Sequence, residues 1–287
     1  MRNLLQRLVR SLRWRVSRLW CPATKRKVVH TRINGYDLLV LANEDVGRSI
    51  HFCGRYEPAE TTYLYKVIRS DALCIDIGAN VGYFTMLMAQ AASAGSVHAF
   101  EPVVLNASLL KASVELNGFT NVHFNQCAVG DHVGVVSFSQ SSDSAYSSIH
   151  DTGRKSLERI LTVPIVTLDE YLDREGIERV DVLKADVEGA EGLVVAGASR
   201  LLSDERRRPY IILLELYDQN LHAFGSSVSI VVEKMQSFGY KPLVVNESGR
   251  MVPFSGELKA RYYNVFFLYD AKQPIACGVL SNAEVAC

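Results

Sequence analysis

The run from Cys74 to Thr85, CIDIGANVGYFT, constrains the fold more than any other stretch of the chain. Residues 72–77 are apolar except for Asp76, the pattern of a strand buried on both faces that carries one acid near its end. A turn with two glycines follows, then an apolar stretch over 81–92 that predicts a helix. Gly78 and Gly82 have no Cβ, so the backbone there is expected to approach a ligand closely. The helix start near Val81 leaves N–H groups free for a carboxylate. The next predicted strand, 95–100, ends in Glu101-Pro102, where a carboxylate can accept both hydroxyls of a ribose. Together these features describe a nucleoside-bearing cofactor lying across the ends of two adjacent strands.

The pattern is D-x-G-A-N-x-G and not G-x-G-x-x-G, so it is not the dinucleotide fingerprint. An acid inside the motif would repel a pyrophosphate. It suits the cationic amino-acid end of S-adenosylmethionine, which is the cofactor expected here. Asp76 and Gly78 would hold its methionine part and Glu101 the ribose, with Ala79, Gly82, Tyr83, Pro102 and Asp186 in the same cofactor site. Ala128, after the third strand, would border the adenine. Asn80 belongs to the same loop and is expected to brace the turn through its side chain.

These residues resemble the FkbM-type methyltransferases. The resemblance is carried by Gly54-Arg55-Tyr56-Glu57, the 75–83 motif, Phe100-Glu101-Pro102, Asn117 with Asn121-Val122, and Ala128-Val129-Gly130-Asp131. It continues through Thr167-Leu168-Asp169-Glu170, the Lys184-to-Glu191 block KADVEGAE and Asn264-Val265-Phe266-Phe267. The KADVEGAE block is the most specific piece. The resemblance implies a class I, Rossmann-like α/β fold with a mainly parallel seven-stranded sheet, an antiparallel edge hairpin and helices on both faces. It also implies methyl transfer from S-adenosylmethionine to hydroxyls of sugars, glycolipids or natural products, and it brings Glu57 to the cofactor.

Alternating hydrophobicity agrees with that fold. A hairpin turning at Asn34-Gly35 joins strands over 28–32 and 37–41. Helix 60–69 then leads into the core. Strands over 73–77, 97–100, 122–127, 180–185, 210–216, 241–245 and 265–269 alternate with helices over 81–92, 105–117, 168–174, 190–202 and 227–238, as in a parallel sheet covered on both faces. A further strand pair, 133–139 and 161–166, brackets a polar loop over 140–155 that is either a lid or a disordered hairpin tip. The chain divides into a basic segment 1–27, a methyltransferase domain 28–270 (N-terminal strands and helix 28–70, core 71–270) and a tail 271–287.

Charge is unevenly spread. The first 27 residues hold nine Lys or Arg and no acid, although the whole chain has 31 of each sign. The acidic remainder argues against a nucleic-acid partner. At helical spacing Leu5, Leu8, Val9, Leu12, Val16, Leu19 and Trp20 share one face among six arginines, a pattern for peripheral contact of residues 1–20 with an anionic membrane, a partner or the domain itself. No apolar run reaches the ~18 residues of a membrane span, and arginines interrupt any secretory core. The six scattered cysteines suggest neither a disulfide framework nor a zinc site, and the expected setting is cytoplasmic, extending to the inner membrane surface.

A hydroxyl acceptor calls for a general base or a metal. Asp186 and Glu188 fall at the mouth of the fourth core strand, close enough to raise at least one carboxyl pKa. They are the candidate base or cation ligands, although no metal site is assigned. Glu191 reads as a helix cap, and Lys184 as an ion-pair partner. Glu215 must be paired, protonated or facing the site. Tyr217, Asp218 and His222 could line the acceptor pocket, with His222 a further catalytic candidate. The acceptor is a small or lipid-linked molecule. The competing readings are an N- or C-methyltransferase of a small metabolite and a non-catalytic, membrane-associated binding protein.

Overall fold

The computed structural model describes residues 27–150, 152–246, 249–254 and 262–269. The basic amphipathic segment 1–20 and the tail 271–287 lie outside the described residues. The first hairpin is β1 (Val28–Ile33) and β2 (Tyr36–Leu41), closed by Asn34 and Gly35, both at positive φ, as a two-residue turn of matching twist requires. The core then runs β3 (Leu73–Ile77), β4 (Ser96–Phe100) and β5 (Val122–Asn125). After it come β6 (Ala128–Val129), β7 (Gly134–Ser141) and β8 (Leu157–Val166), and then β9 (Val182–Ala185) and β10 (Ile211–Tyr217). The last three strands are β11 (Lys241–Val245), β12 (Met251–Pro253) and β13 (Tyr262–Leu268).

The main sheet has the order β12-β11-β13-β10-β9-β3-β4-β5. Strands β10, β9, β3, β4 and β5 are mutually parallel, and β13 enters antiparallel between β10 and β11. This is the class I α/β arrangement, with an eighth strand where seven were expected. The extra strand is the three-residue β12, which pairs with β11 at the edge. The predicted strand 122–127 also divides. It stays with β4 only to Asn125, and Ala128–Val129 turns away to join β7 and β8 in a separate small sheet.

Alternation along each strand separates two cores. Ile75, Ile77, Leu183 and Ile212 pack against the helices Leu168–Arg174, Glu191–Gly197 and Val228–Ser237. Cys74, Val182, Ile211 and Leu213 pack on the other face against the helix Tyr83–Ala91 and the first hairpin. The helix predicted over 190–202 is broken at Ala198 into Glu191–Gly197 and Ser199–Ser203. Gly197 lies so near the Gly130 carbonyl that a Cβ would stand 1.9 Å from its oxygen. Two short helices, Asp45–Cys53 and Asp218–Ala223, were not anticipated.

The fold fixes the site because strand order reverses between β3 and β9. The chain moves outward one way through β4 and β5 and the other way through β10, so a crevice opens at the carboxyl ends of β3 and β9. Ile77 pairs with Ala185, so Gly78 and Asp186 leave the sheet side by side.

Candidate active site

The glycine turn is shaped by its own chain. Gly78 has φ +73, and a Cβ there would lie 1.9 Å from the Asp186 carbonyl oxygen. Gly82 has φ +92, and its Cβ would lie 2.9 Å from Leu110. The close approach expected toward a ligand is therefore toward strand β9 and the helix Val104–Asn117, and Gly82 lines neither cavity described below. Asn80 braces the turn as expected, its Oδ1 accepting the Val81 N–H at 2.7 Å.

Two cavities meet at this turn, sharing Gly78, Asn80, Ala145, Asp186 and Glu188. The narrower is lined by Phe100, Glu101, Pro102, Ala128 and Val129, with Phe138 and Ile149 from the small sheet and its loop. Glu101 is buried there. Its carboxylate accepts the N–H groups of Asn80 and Val103, each at 2.8 Å and each on a different oxygen. Every carboxylate oxygen has a second lone pair, so two acceptor sites remain for a diol. Burial pushes the Glu101 carboxyl up to about 7 although the two N–H groups favour its charged form.

The larger cavity, about 1130 Å³, takes in Tyr56, Glu57, Ala79, Tyr83, Lys184 and Glu215, and Arg55 and Asn264 also border it. Asp186 stands at its floor. It hydrogen-bonds Glu215 and lies 3.4 Å from the Lys184 ammonium. Burial raises the Asp186 carboxyl, but Lys184 and the proton on Glu215 outweigh this and hold it below the ordinary carboxylate range. Glu215 is correspondingly pushed far up, by burial and by Asp186. Within the pair, the proton is favoured on Glu215 and the charge on Asp186.

Glu188 is buried, with Arg154 at 2.5 Å and the Asn220 amide at 2.6 Å, and burial pushes it up to about 8. Glu57 is likewise raised to about 8 by burial and by Asp186. Both acids have positive φ, +54 and +39, a strained conformation for residues with side chains. Asp186, Glu188 and Glu215 bring oxygens within 4.8 Å of one another. Lys184, Arg154 and the proton on Glu215 already compensate their charge.

Three candidates sit elsewhere. Asp76 is fully buried behind the turn, accepting the Thr85 hydroxyl at 2.6 Å with Lys184 at 3.9 Å, and it lines neither cavity. Glu191 accepts the N–H groups of Val187 and Gly189 and caps its turn. His222 is an exposed residue on the helix Asp218–Ala223, 3.4 Å from Asp218, and the structure does not bring it to either cavity. Sequence reasoning passed over Arg154, whose guanidinium lies 4.3 Å from the Tyr146 ring centre and 4.9 Å from that of Tyr217. No local motif marks it; only the folded loop brings it to Glu188.

A switch-point crevice, a D-x-G-A-N-x-G turn and a buried acid after the second core strand define a class I methyltransferase. The family model of the methyltransferase FkbM domain matches residues 76–242. Methyltransferase 1 of Beauveria bassiana is 24% identical over 179 residues, 56% of this chain and 72% of that protein. The 31-O-demethyl-FK506 methyltransferase FkbM of Streptomyces tacrolimicus is 30% identical over 159 residues, 45% of this chain and 60% of that relative's length. Among solved structures, Trm5b of Pyrococcus abyssi aligns with 85% of this chain and 55% of its own, at 15% identity and a TM-score of 0.42. The chain belongs to the FkbM-domain family and is an S-adenosylmethionine-dependent methyltransferase. No helix among the described residues is long and apolar enough to cross a membrane.

Proposed function

We propose that the protein is an O-methyltransferase acting on a hydroxyl of a sugar, glycolipid or natural product. The observation that supports this best is the continuity of the two cavities through Asp186. One side offers a narrow slot with Glu101 at its wall; the other opens to a wider chamber of mixed rings, acids and cations. Tyr56, Tyr146 and Asn264 on that wider side suit a polyhydroxylated acceptor, whose faces stack on rings while its hydroxyls bond to polar groups. The Streptomyces relative's name specifies an O-demethyl substrate, and an oxygen acceptor is the reading carried over here.

The residues present fit the donor. Glu101 keeps free lone pairs for the ribose, Pro102 and Ala128 offer apolar surface for the adenine, and Gly78, Ala79, Asn80 and Tyr83 would border the methionine part. When bound, the donor supplies an electrophilic methyl group on a sulfonium. Asp186, ionised beside Lys184, accepts the proton from the acceptor hydroxyl. Glu215 holds that carboxylate in place through their shared hydrogen bond. Tyr83 is fixed by Asn34 and Thr61 at 3.0 and 3.1 Å, so the wall it forms is rigid. Alignment of this kind can supply most of a methyl-transfer rate, on the order of 7–11 kcal/mol of the barrier.

Asp186→Asn tests the assignment. Turnover should fall by roughly 10²–10⁴ with little change in donor affinity. Because Lys184 and Arg154 already balance the acids, EDTA should leave the wild type active. Undiminished turnover of the variant would remove Asp186 as the base, and loss of activity in EDTA would make it a cation ligand.

A further inference from the structure

Residues 142–150 follow strand β7 and return across the crevice. Ser144, Ala145, Ser147 and Ile149 from this segment line the narrow pocket together with Glu101 and Ala128. Ile149 packs in a small apolar cluster with Phe138, Val103, Ala128 and Ala190, so the inner surface of the segment is apolar at Ala145 and Ile149 and carries the hydroxyl residues Ser144 and Ser147 beside them. Its fastenings are polar: Ser148 pairs with Ser139 of β7 and donates its hydroxyl to the Val187 carbonyl at 2.9 Å, the Ser144 hydroxyl reaches Asn106 Oδ1 at 3.0 Å, and the remainder lie on the helix Asp45–Cys53 and the residue before it. The Ser144 N–H donates to the Glu44 carboxylate at 2.9 Å, and the Ser144 hydroxyl donates to the same group. Asp143 accepts the Asp45 N–H at 2.9 Å. The Asp45 carboxylate takes the Tyr146 hydroxyl and the Lys155 ammonium, each at 2.9 Å. Polar fastenings of this sort exchange with water at small net cost, whereas the apolar part of the inner face gains by closing on a flat ring.

We propose that residues 142–150 are a releasable cover that forms the outer wall of the donor's nucleoside pocket, with Phe138, Ser147 and Ile149 against the base and the latch at Glu44 and Asp45. It opens to admit the donor and closes over it. This rests on the donor placement given above, which Glu101→Ala tests separately.

The experiment uses the full chain with S-adenosylhomocysteine as the probe. Hydrogen exchange is followed with and without it, and its release rate is measured for the wild type and for Asp45→Ala. The proposal expects slower exchange over 142–150 in the complex. It also expects release at least about tenfold faster from Asp45→Ala while the variant's melting remains cooperative. Protection confined to the glycine turn, with 142–150 unchanged, would overturn the cover. An unchanged release rate would overturn the latch. If Asp45→Ala does not fold, exchange in the wild type decides alone. If Glu101→Ala leaves the probe's affinity intact, the donor placement fails and the cover fails with it.

Discussion

Gly78 shows how one residue at a site also serves the packing behind it. Its missing Cβ lets the Asp186 carbonyl pack on the turn, so the glycine couples the donor loop to the strand that carries the proposed base. Gly78→Ala would add both a left-handed strain and a backbone clash, together costing roughly 2–6 kcal/mol. Denaturant unfolding should show that loss, and a variant of undiminished stability would mean the turn relaxes freely. Glu101→Ala has two effects. It should weaken S-adenosylhomocysteine binding by about 1.5–3 kcal/mol, the range for hydrogen bonds to a charged group. It should also lower stability, because the Asn80 and Val103 N–H groups lose their acceptor. Calorimetric titration and thermal melting read the two separately; unchanged affinity would take Glu101 out of the ribose site. Glu101 and Asp186 were legible because strand ends in a parallel sheet are where ligands bind. The role of Gly78 was not, since a glycine that admits a ligand and one that admits the chain's own backbone look alike in sequence. Arg154 was not legible either, because a loop carries no periodicity that says what it folds onto.

Among the elements, those whose pattern runs unbroken were readable and those interrupted by a glycine or a bend were not. The strand Leu73–Ile77 and the helix Leu168–Arg174 fall where alternation and capping put them, the latter with Thr167 accepting the Glu170 N–H. The helix Asp45–Cys53 was missed because Gly47 breaks its pattern, a glycine required because a Cβ there would stand 2.2 Å from the Leu41 carbonyl oxygen. The end of β5 was overrun because its partner strand stops at Phe100 and the chain bends at Cys127 before Ala128–Val129 pairs with β8. The helix Leu168–Arg174 is tied to the sheet by the Tyr171 hydroxyl, which meets His98 Nδ1 at 2.7 Å and the Asn125 amide at 3.0 Å. Tyr171→Phe should therefore destabilise the protein by about 1–3 kcal/mol, the cost of leaving buried polar groups unpaired. Urea unfolding is the test, and a change below a few tenths of a kcal/mol would show that those groups find other partners.

The whole molecule concentrates raised carboxyls around one crevice. Glu57 and Glu188 sit at about 8, and Glu101 and Glu191 at about 7, all chiefly through burial. A carboxyl raised in the folded state binds its proton more tightly there than in the unfolded chain. Its stabilising share is complete below the ordinary carboxylate pKa and is lost as pH rises through the folded value. His98, lowered to about 4 by burial and His123, and His51, lowered by burial and Lys27, act oppositely, but the raised carboxyls outnumber them and the histidine contribution is complete above the ordinary imidazole pKa. The melting temperature of the donor-free protein should therefore fall between about pH 5 and 8. A rise across that window would mean the acids are ionised and paired. At the same scale, the nine basic residues in the first 27 should draw the protein to anionic liposomes, with binding that weakens in salt. Co-sedimentation of the full chain and of a chain lacking residues 1–20 checks this, and equal partitioning would assign the segment elsewhere. The central claim is transfer of a methyl group to oxygen. Its most direct measurement is incubation with S-adenosylmethionine carrying a ¹³C-labelled methyl group and a panel of sugars, glycolipids and hydroxylated natural products, followed by NMR of the products. The account predicts the label as an O-methyl group on at least one of them; label found on nitrogen or carbon would contradict it.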